Sequence, residues 1–498
     1  MSSEEITSAQ EFDVVVIGAG LSGSLVAANL LRRAIPGLKV TLIERKPPYG
    51  RGVAYGTLSP VHRLNVPAGK LSAWPDDPDD FFNWASHQPA SPGMEEPVAK
   101  TDFLPRYLFG RYIEATLLAA KDAVEERART LFAQQETLPR DERRLAPPIF
   151  KMAAGEVVDI EENTSGGPHT VLLADGTTLP AHRVVLALGN LPGEYPIRKP
   201  LPIYRSWRYV HVPWLMAAVE NVKPNEDVLI VGAGLTAVDI IMQLAAQGHR
   251  GTIHALSRRG LQPQKHQPGS AYPNYITPEQ LPLSLRAVTR LVRAEVKKAA
   301  AKGLDWRGVI DALRPVTQAL WRGLSKEDRA RFMRHVRPFW ETHRHRLAPQ
   351  VASRVEQLEH DGQVRFYAGR LQTLEEREGT VHASFHNRGT HELVNLRVGK
   401  VINCTGPRTD YSKFQHPLFI NLLARGLINH DPLAIGLNAS ENGDVYRYSG
   451  DSVGWLYTLG APMKGALWEC TAVPEIRGQA AKLAEKLAEE SARFLGAS

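Results

Sequence analysis

Two sets of residues in this chain have the types and spacing needed to hold a pyrophosphate. The first is Gly18-Ala-Gly20-Leu-Ser22-Gly23 and the second is Gly232-Ala-Gly234-Leu-Thr-Ala237. In such a loop the first glycine permits a tight turn and the second lets backbone approach phosphate. The third small residue lets a helix pack closely on its strand. A helix that begins inside the loop also offers free N–H groups and a positive end to the phosphates. About 20 residues further on, each set closes on a residue that can address a ribose. In the first that residue is Glu44, followed by Arg45, and a carboxylate can accept both ribose hydroxyls. In the second, Arg258 takes the equivalent place, flanked by Ser257 and Arg259. A carboxylate would repel a 2′-phosphate, whereas a guanidinium binds it bidentately. The second set is therefore expected to hold NADPH, with Ser257, Arg258 and Arg259 around the phosphate.

A glycine loop works only between a strand and a helix, and both sets have that setting. The Val/Ile run Asp13–Ile17 precedes the first loop, an Ala/Leu-rich stretch follows, and Lys39–Glu44 supplies a second strand. Asp227–Val231 and Thr252–Ser257 frame the second loop in the same way. Each unit is trailed by alternating β-rich runs and a closing strand. After the first come Gly155–Ile160, Thr170–Leu173, the turn Asp175-Gly176, and Arg183-Val-Val-Leu-Ala-Leu-Gly189. After the second come Val364–Tyr367, Thr380–Phe385, Glu392–Leu396, and Lys400-Val-Ile-Asn-Cys404-Thr-Gly406. The repetition points to an internal duplication. An amphipathic helix is expected from Pro105, with Ile113, Leu117, Ala120 and Val124 on its buried face. Arg106 and Arg111 near its start are placed either to reach the first nucleotide or, as is commoner, as exposed helix charges.

Residues 262–349 differ in texture. Leu285, Val288, Val292 and Val296, then Val309, Leu313, Val316 and Leu320, mark helices with basic outer faces, which Trp306, Trp321 and Trp340 can anchor. His335, His343 and His345 lack a carboxylate or further histidine at supporting spacing, so a structural or capping role is expected and no metal site. At 498 residues the chain is too long for one core. Its net charge of +7 is spread over helical stretches, which argues for a solvated surface and against nucleic acid. There is no apolar run long enough to span a membrane and no signal-peptide core in the polar, acidic start of the chain, so a cytoplasmic setting is expected. The two cysteines, Cys404 and Cys470, form no CxxC and support neither a zinc knuckle nor a redox disulfide.

Between Glu44 and the long helix lie Gly52-Val-Ala-Tyr55, Leu64-Asn65-Val-Pro-Ala68 and Pro75-Asp-Asp-Pro78. In this order and spacing they resemble FAD/NAD(P)-binding proteins related to flavin-dependent urate hydroxylases and nitrosuccinate-forming aspartate N-monooxygenases. The resemblance implies FAD at the first site, held by Gly18, Gly20, Ser22, Gly23, Glu44 and Arg45, with Asn65 beside the flavin ring. A turn residue bonding its own backbone is an equal reading of Asn65. The strand ending at Gly189 resembles the crossing strand of two-dinucleotide flavoproteins. By the same resemblance Gly460 and Ala461 end a strand at the flavin, ahead of a helix with Thr471 as N-cap and Pro474 in its first turn. Lys464 assists the reduced ring's charge or is simply exposed.

The expected fold class is α/β, with two Rossmann-like dinucleotide-binding domains (FAD and NADPH), β-meanders and a helical insertion. The FAD-binding domain is expected to comprise residues 1–195 and 401–498, the NADPH-binding domain 196–261 and 350–400, and the insertion 262–349, roofing the cleft. The resemblance implies an NADPH-dependent monooxygenase that hydroxylates or N-oxygenates a small polar metabolite with O2 through a flavin C4a-hydroperoxide. Two alternatives stay open: an NADPH-dependent flavin reductase serving another acceptor, and a non-catalytic flavin-binding protein. No catalytic residue is identified beyond the candidates Asn65 and Lys464, and the substrate and oligomeric state are not legible.

Overall fold

The computed structural model describes residues 11–136, 146–214, 218–267 and 271–496; the polar start of the chain, residues 1–10, lies outside them. The first glycine loop sits in a six-stranded sheet. Its strands are β1 (Phe12–Ile17), β2 (Leu38–Glu44), β3 (Ile149–Ala154), β7 (Arg183–Leu186), β15 (Asp444–Tyr446) and β16 (Ser452–Thr458). Their order is β15-β16-β7-β1-β2-β3, parallel throughout except for β15 at one edge. Val14 and Val16 face helices Leu21–Arg33, Arg106–Glu136 and Val473–Leu495. Val15 and Ile17 face the opposite layer, which includes a small sheet of β4 (Val157–Glu161), β5 (His169–Leu173) and β6 (Thr178–Ala181). A strand covered on both faces reads as an unbroken apolar run, as this one does. Ile113, Leu117, Ala120 and Val124 are all buried along the expected stripe of the long helix.

The second glycine loop sits in a seven-stranded sheet. It contains β8 (Tyr209–Val210), β9 (Val228–Val231), β10 (Ile253–Ser257), β11 (Val364–Arg377), β12 (Thr380–Asn387), β13 (Leu393–Val398) and β14 (Lys400–Asn403). The order is β13-β12-β11-β10-β9-β14-β8. The two trailing meanders, similar in sequence, are placed differently. The first is a separate sheet, whereas β11 begins parallel to β10 and runs on to pair antiparallel with β12, so the second meander extends the nucleotide sheet itself.

Residues 262–349 form short helices, chiefly Leu285–Ala301, Trp306–Asp311, Thr317–Gly323, Lys326–Arg331 and Arg337–Arg344. Trp321 and Phe332 share a core with Ile435 and Trp468 near the C-terminus, so the insertion is seated on the last part of the chain. Trp321 Nε1 donates to the Gly465 carbonyl at 2.9 Å and Trp340 Nε1 to Glu469 at 2.7 Å. Arg314 pairs with Glu475 at 2.8 Å. Trp306 lies beneath the guanidinium groups of Arg307 and Arg346. His343 bonds the Phe339 carbonyl and His345 faces Glu469, while His335 belongs to no metal-ligand cluster among the described residues.

Thr471 is not the N-cap of the last helix. That position belongs to Ala472, in extended conformation, with no side-chain cap. As N-cap, Thr471 would have Pro474 at the third helical position, where the N–H that a cap should bind is missing. Among the described residues no helix is long and apolar enough to cross a membrane.

Candidate functional site

The first glycine loop is shaped by collisions that any side chain would cause. Gly18 has φ +100°, and a Cβ on it would run into the Ala187 carbonyl at the end of β7. A Cβ on Gly23 would strike Gly18 itself and stand 3.1 Å from Val16 Cγ1, so helix and strand touch backbone to side chain. Gly20 faces Gly52, whose Cα would lie 3.4 Å from an added Cβ. Gly50 donates to the Ala19 carbonyl at 2.8 Å, folding the segment after β2 back over the loop. Glu44 plants its carboxylate there: one oxygen accepts from Ala19 N and the other from Arg45 N, each at 2.9 Å. The Arg45 side chain is exposed. From the far end of the chain, Gly460 (φ +72°) brings the turn after β16 against Ser22, with its Cβ position 2.9 Å from Ser22 Oγ. Gly18, Gly20, Ser22, Gly23, Glu44 and Gly460 thus converge on one loop. Gly189 follows β7, next to β1, and its carbonyl accepts from the Tyr411 hydroxyl at 3.3 Å. Ala461 opens the 3₁₀ turn Ala461–Lys464.

Asn65 has a half-buried side chain with no hydrogen-bond partner among the described residues, so the turn-bonding role is absent and its amide is free. Lys464 is not a surface lysine. Burial pushes its pKa down, with Arg337 adding to the effect and Glu341 opposing it. Its side chain nevertheless keeps partial exposure, and its ammonium lies 4.9 Å from the Trp468 ring centre with no hydrogen-bond acceptor among the described residues.

In the second loop Gly232 (φ +133°) is pressed on the Cys404 carbonyl after β14, and Ala237 is fully buried, its methyl accommodated where the first loop has Gly23. Around a Cβ on Gly234 there is open space, room for a phosphate against its backbone. Ser257 Oγ accepts from Gly260 N at 3.0 Å. The two arginines separate. Arg258 is exposed, whereas Arg259 donates to the Arg334 carbonyl at 3.0 Å and lies over the Phe339 ring, tying this turn to the insertion.

Between the two loops lies a cluster that sequence reading missed, and it overturns the expectation that Arg106 is an exposed helix charge, its side chain being only 12% exposed. Arg106 donates to Asp239 at 2.6 Å, joining the first residue of the long helix to the helix Leu235–Ala246 that leaves the second loop. Burial raises the Asp239 carboxyl, against the opposing pull of Arg106 and His62. Burial likewise lowers His62, against the opposing pull of Asp239; its Nδ1 lies 2.8 Å from the Thr57 hydroxyl and its Nε2 is unpartnered. Ser59 and Gln243 add a second link between the same parts. The available signal was an aspartate inside the apolar stripe Leu235-Thr-Ala-Val-Asp239-Ile-Ile. Glu469 was also missed. Burial alone would raise it, but His345, Arg344 and Trp340 hold its pKa down at about 2.

Cys404 and Cys470 are both free and buried. Burial raises both thiols, Cys470 to about 12, and Cys470 Sγ donates to the Gly460 carbonyl. Neither is a thiolate nucleophile.

Residues 15–144 match a family model described as FAD-NAD(P)-binding. No curated protein matches the chain. Among solved structures, an ornithine N-hydroxylase from Kutzneria sp. 744, with reduced FAD, NADP+ and L-ornithine, aligns over 96% of this chain and 99% of its own. Its identity is 13% and its TM-score 0.59. The L-lysine 6-monooxygenase of Pseudomonas syringae gives 13%, coverage of 97% and 99%, and a TM-score of 0.58. The FAD-bound cadaverine monooxygenase of Erwinia amylovora gives 13%, 97% and 95%, and 0.54. At these identities the likeness is one of fold: an α/β architecture with parallel sheets, shared with FAD/NAD(P)-binding flavoproteins.

Proposed function

We propose that this chain is an FAD- and NADPH-dependent monooxygenase acting with O2 on a small polar metabolite. What carries the reading is one contrast within a single fold. A glycine loop closed by the carboxylate of Glu44 is paired with a second, open at Gly234 and followed by the exposed Arg258. The first fits FAD and the second NADPH. In the first, backbone N–H groups of Gly20 to Gly23 take the pyrophosphate and Glu44 takes the ribose. The free amide of Asn65 serves the flavin ring edge, and Lys464, four residues after Gly460, is the lysine available to the reduced ring's charge. We take the six-stranded sheet with its helices as the FAD domain and the seven-stranded sheet as the NADPH domain, the first crossing at residues 195/196. Because β14 pairs with β9 and β8, the return crossing falls after Asn403 and not at 400/401, and residues 262–349 are the lid.

Bound FAD supplies the redox chemistry, accepting hydride from NADPH and reducing O2. The chain's part is to orient the two dinucleotides and exclude water, which asks for no acid–base pair. The three solved neighbours act on ornithine, lysine and cadaverine, each with a terminal amine, which favours N-oxygenation of an amine. Kinship with urate hydroxylases and aspartate N-monooxygenases is the finer reading that the motifs at Gly52, Leu64 and Pro75 support. Against a disulfide-type reductase stands the placement of both thiols, buried, protonated and unpaired.

The purified protein should be yellow, and anaerobic NADPH should bleach its flavin. On readmitting air, a primary-amine panel should include a compound that accelerates NADPH use and returns as a hydroxylamine. No bleaching would indicate a binding protein. Bleaching with peroxide release that no amine or other small metabolite alters would favour the reductase.

A further inference from the structure

We propose that the Arg106–Asp239 ion pair is a positioning clamp that sets the nicotinamide site against the flavin site for hydride transfer. The inference rests on the two-nucleotide reading above. Arg106 is the first residue of a long helix, where a cation opposes the helix dipole, and its side chain is only 12% exposed. Its carboxylate partner, Asp239, is 8% exposed and belongs to the helix whose N-cap is Gly234. The same guanidinium also reaches the other way: Nε donates to the Arg63 carbonyl at 2.9 Å, and Arg106 N donates to the His62 carbonyl at 2.8 Å. Leu64 N is bonded to the Leu104 carbonyl at 2.9 Å, which fixes the strand-like segment leading into Asn65. One planar side chain therefore holds, with separate N–H groups, the segment carrying Asn65 and the helix carrying the second glycine loop. Only arginine has the fork for that.

The energetics point the same way. Burying two charges is costly, and a well-packed apolar pair of similar volume is often as stable or more so. A buried pair across this seam is thus poorly explained by stability and well explained by geometry. Burial lowers the pKa of His62, whose Nδ1 is engaged by Thr57, so the direct ionic partner of Asp239 is Arg106. Ser59 with Gln243 supports the same seam one turn further along the helix.

The test is anaerobic stopped-flow reduction of the FAD-loaded full chain by NADPH. Asp239→Asn and Arg106→Lys should slow flavin reduction at saturating NADPH by about tenfold or more, as expected for a misplacement on the ångström scale. FAD content, reduction by dithionite and the NADPH dissociation constant should stay within about threefold of wild type. Arg106→Lys should lose less than Asp239→Asn, because an ammonium can still meet the carboxylate but cannot also hold Arg63. The double variant Arg106→Met/Asp239→Leu separates positioning from folding: it should melt no earlier than wild type and still reduce slowly. A double variant reducing at the wild-type rate would overturn the clamp, as would losses confined to NADPH affinity. A wild-type flavin that NADPH fails to bleach would overturn the functional reading, and the clamp with it.

Discussion

Arg258 and Arg259 adjoin in sequence, yet the fold gives them separate tasks. With Arg258 exposed and Arg259 stacked on Phe339, the proposed NADPH site assigns the 2′-phosphate chiefly to Arg258. A charge-assisted bond contributes roughly 1.5–3 kcal/mol, so Arg258→Ala should lower kcat/KM for NADPH by about one to two decades. NADH efficiency should hardly change, and Arg259→Ala should shift the NADPH/NADH ratio less. Equal losses with both nucleotides would mean that Arg258 supports the fold. Glu44→Arg should yield protein without FAD, seen as loss of the flavin absorbance, because a donor then faces the ribose hydroxyls and the bonds to Ala19 N and Arg45 N vanish. The two glycine turns were legible in the sequence because such loops encode their constraint locally, in which residues can turn or touch. Arg106 was not legible. Its partner is far away in the chain, and nothing around it separates a buried pair from a charge in water.

At the scale of elements, the insertion is fastened to the C-terminal segment largely through Glu469, which adopts φ +58°, unusual for a residue other than glycine. Trp340, His345 and Arg344 all address its carboxylate. Burial would raise its pKa, but these partners depress it from 4.5 to about 2. A carboxylate with a lowered folded-state pKa stabilises the folded state above its unfolded value and loses that contribution as pH falls. The docking should therefore weaken between about pH 4.5 and 2. Tryptophan fluorescence should report it, since Trp321, Trp340 and Trp468 of the chain's nine tryptophans line this junction. In Glu469→Gln that acid limb should be missing, with stability lower at neutral pH by about 1–2 kcal/mol, the modest value reflecting the partial exposure of His345. An unchanged acid limb in the variant would assign it to other carboxylates. Helices of the insertion were readable from their apolar spacing, but this latch was not, since a lone Glu in Trp468-Glu-Cys carries no pattern. The Thr471 cap failed for a related reason: its value depended on which helical position Pro474 would take.

For the whole molecule, the two seams should leave different kinetic signatures. The Arg106–Asp239 seam joins the two nucleotide units and should govern how fast reduced flavin forms. The Trp340–Glu469 seam ties the insertion to the C-terminal segment beside Lys464, and on the function proposed above it should govern what happens after O2 arrives, when water must be kept out. Trp340→Phe tests the second seam gently, because it keeps an aromatic side chain, gives up part of the indole's packing and removes the N–H that Glu469 accepts at 2.7 Å. The variant should bind FAD and be reduced by NADPH at close to the wild-type rate. In air it should release a larger share of its NADPH electrons as hydrogen peroxide, measured as peroxide formed per NADPH consumed. Glu469→Gln should do the same more strongly, since it removes the charge that Arg344 and His345 face and leaves Trp340 only a neutral acceptor. Slower reduction with unaltered peroxide yield would move this seam to the nicotinamide side of the cleft. A loosened insertion, seen by fluorescence, with neither quantity changed would mean that residues 262–349 do not guard the flavin.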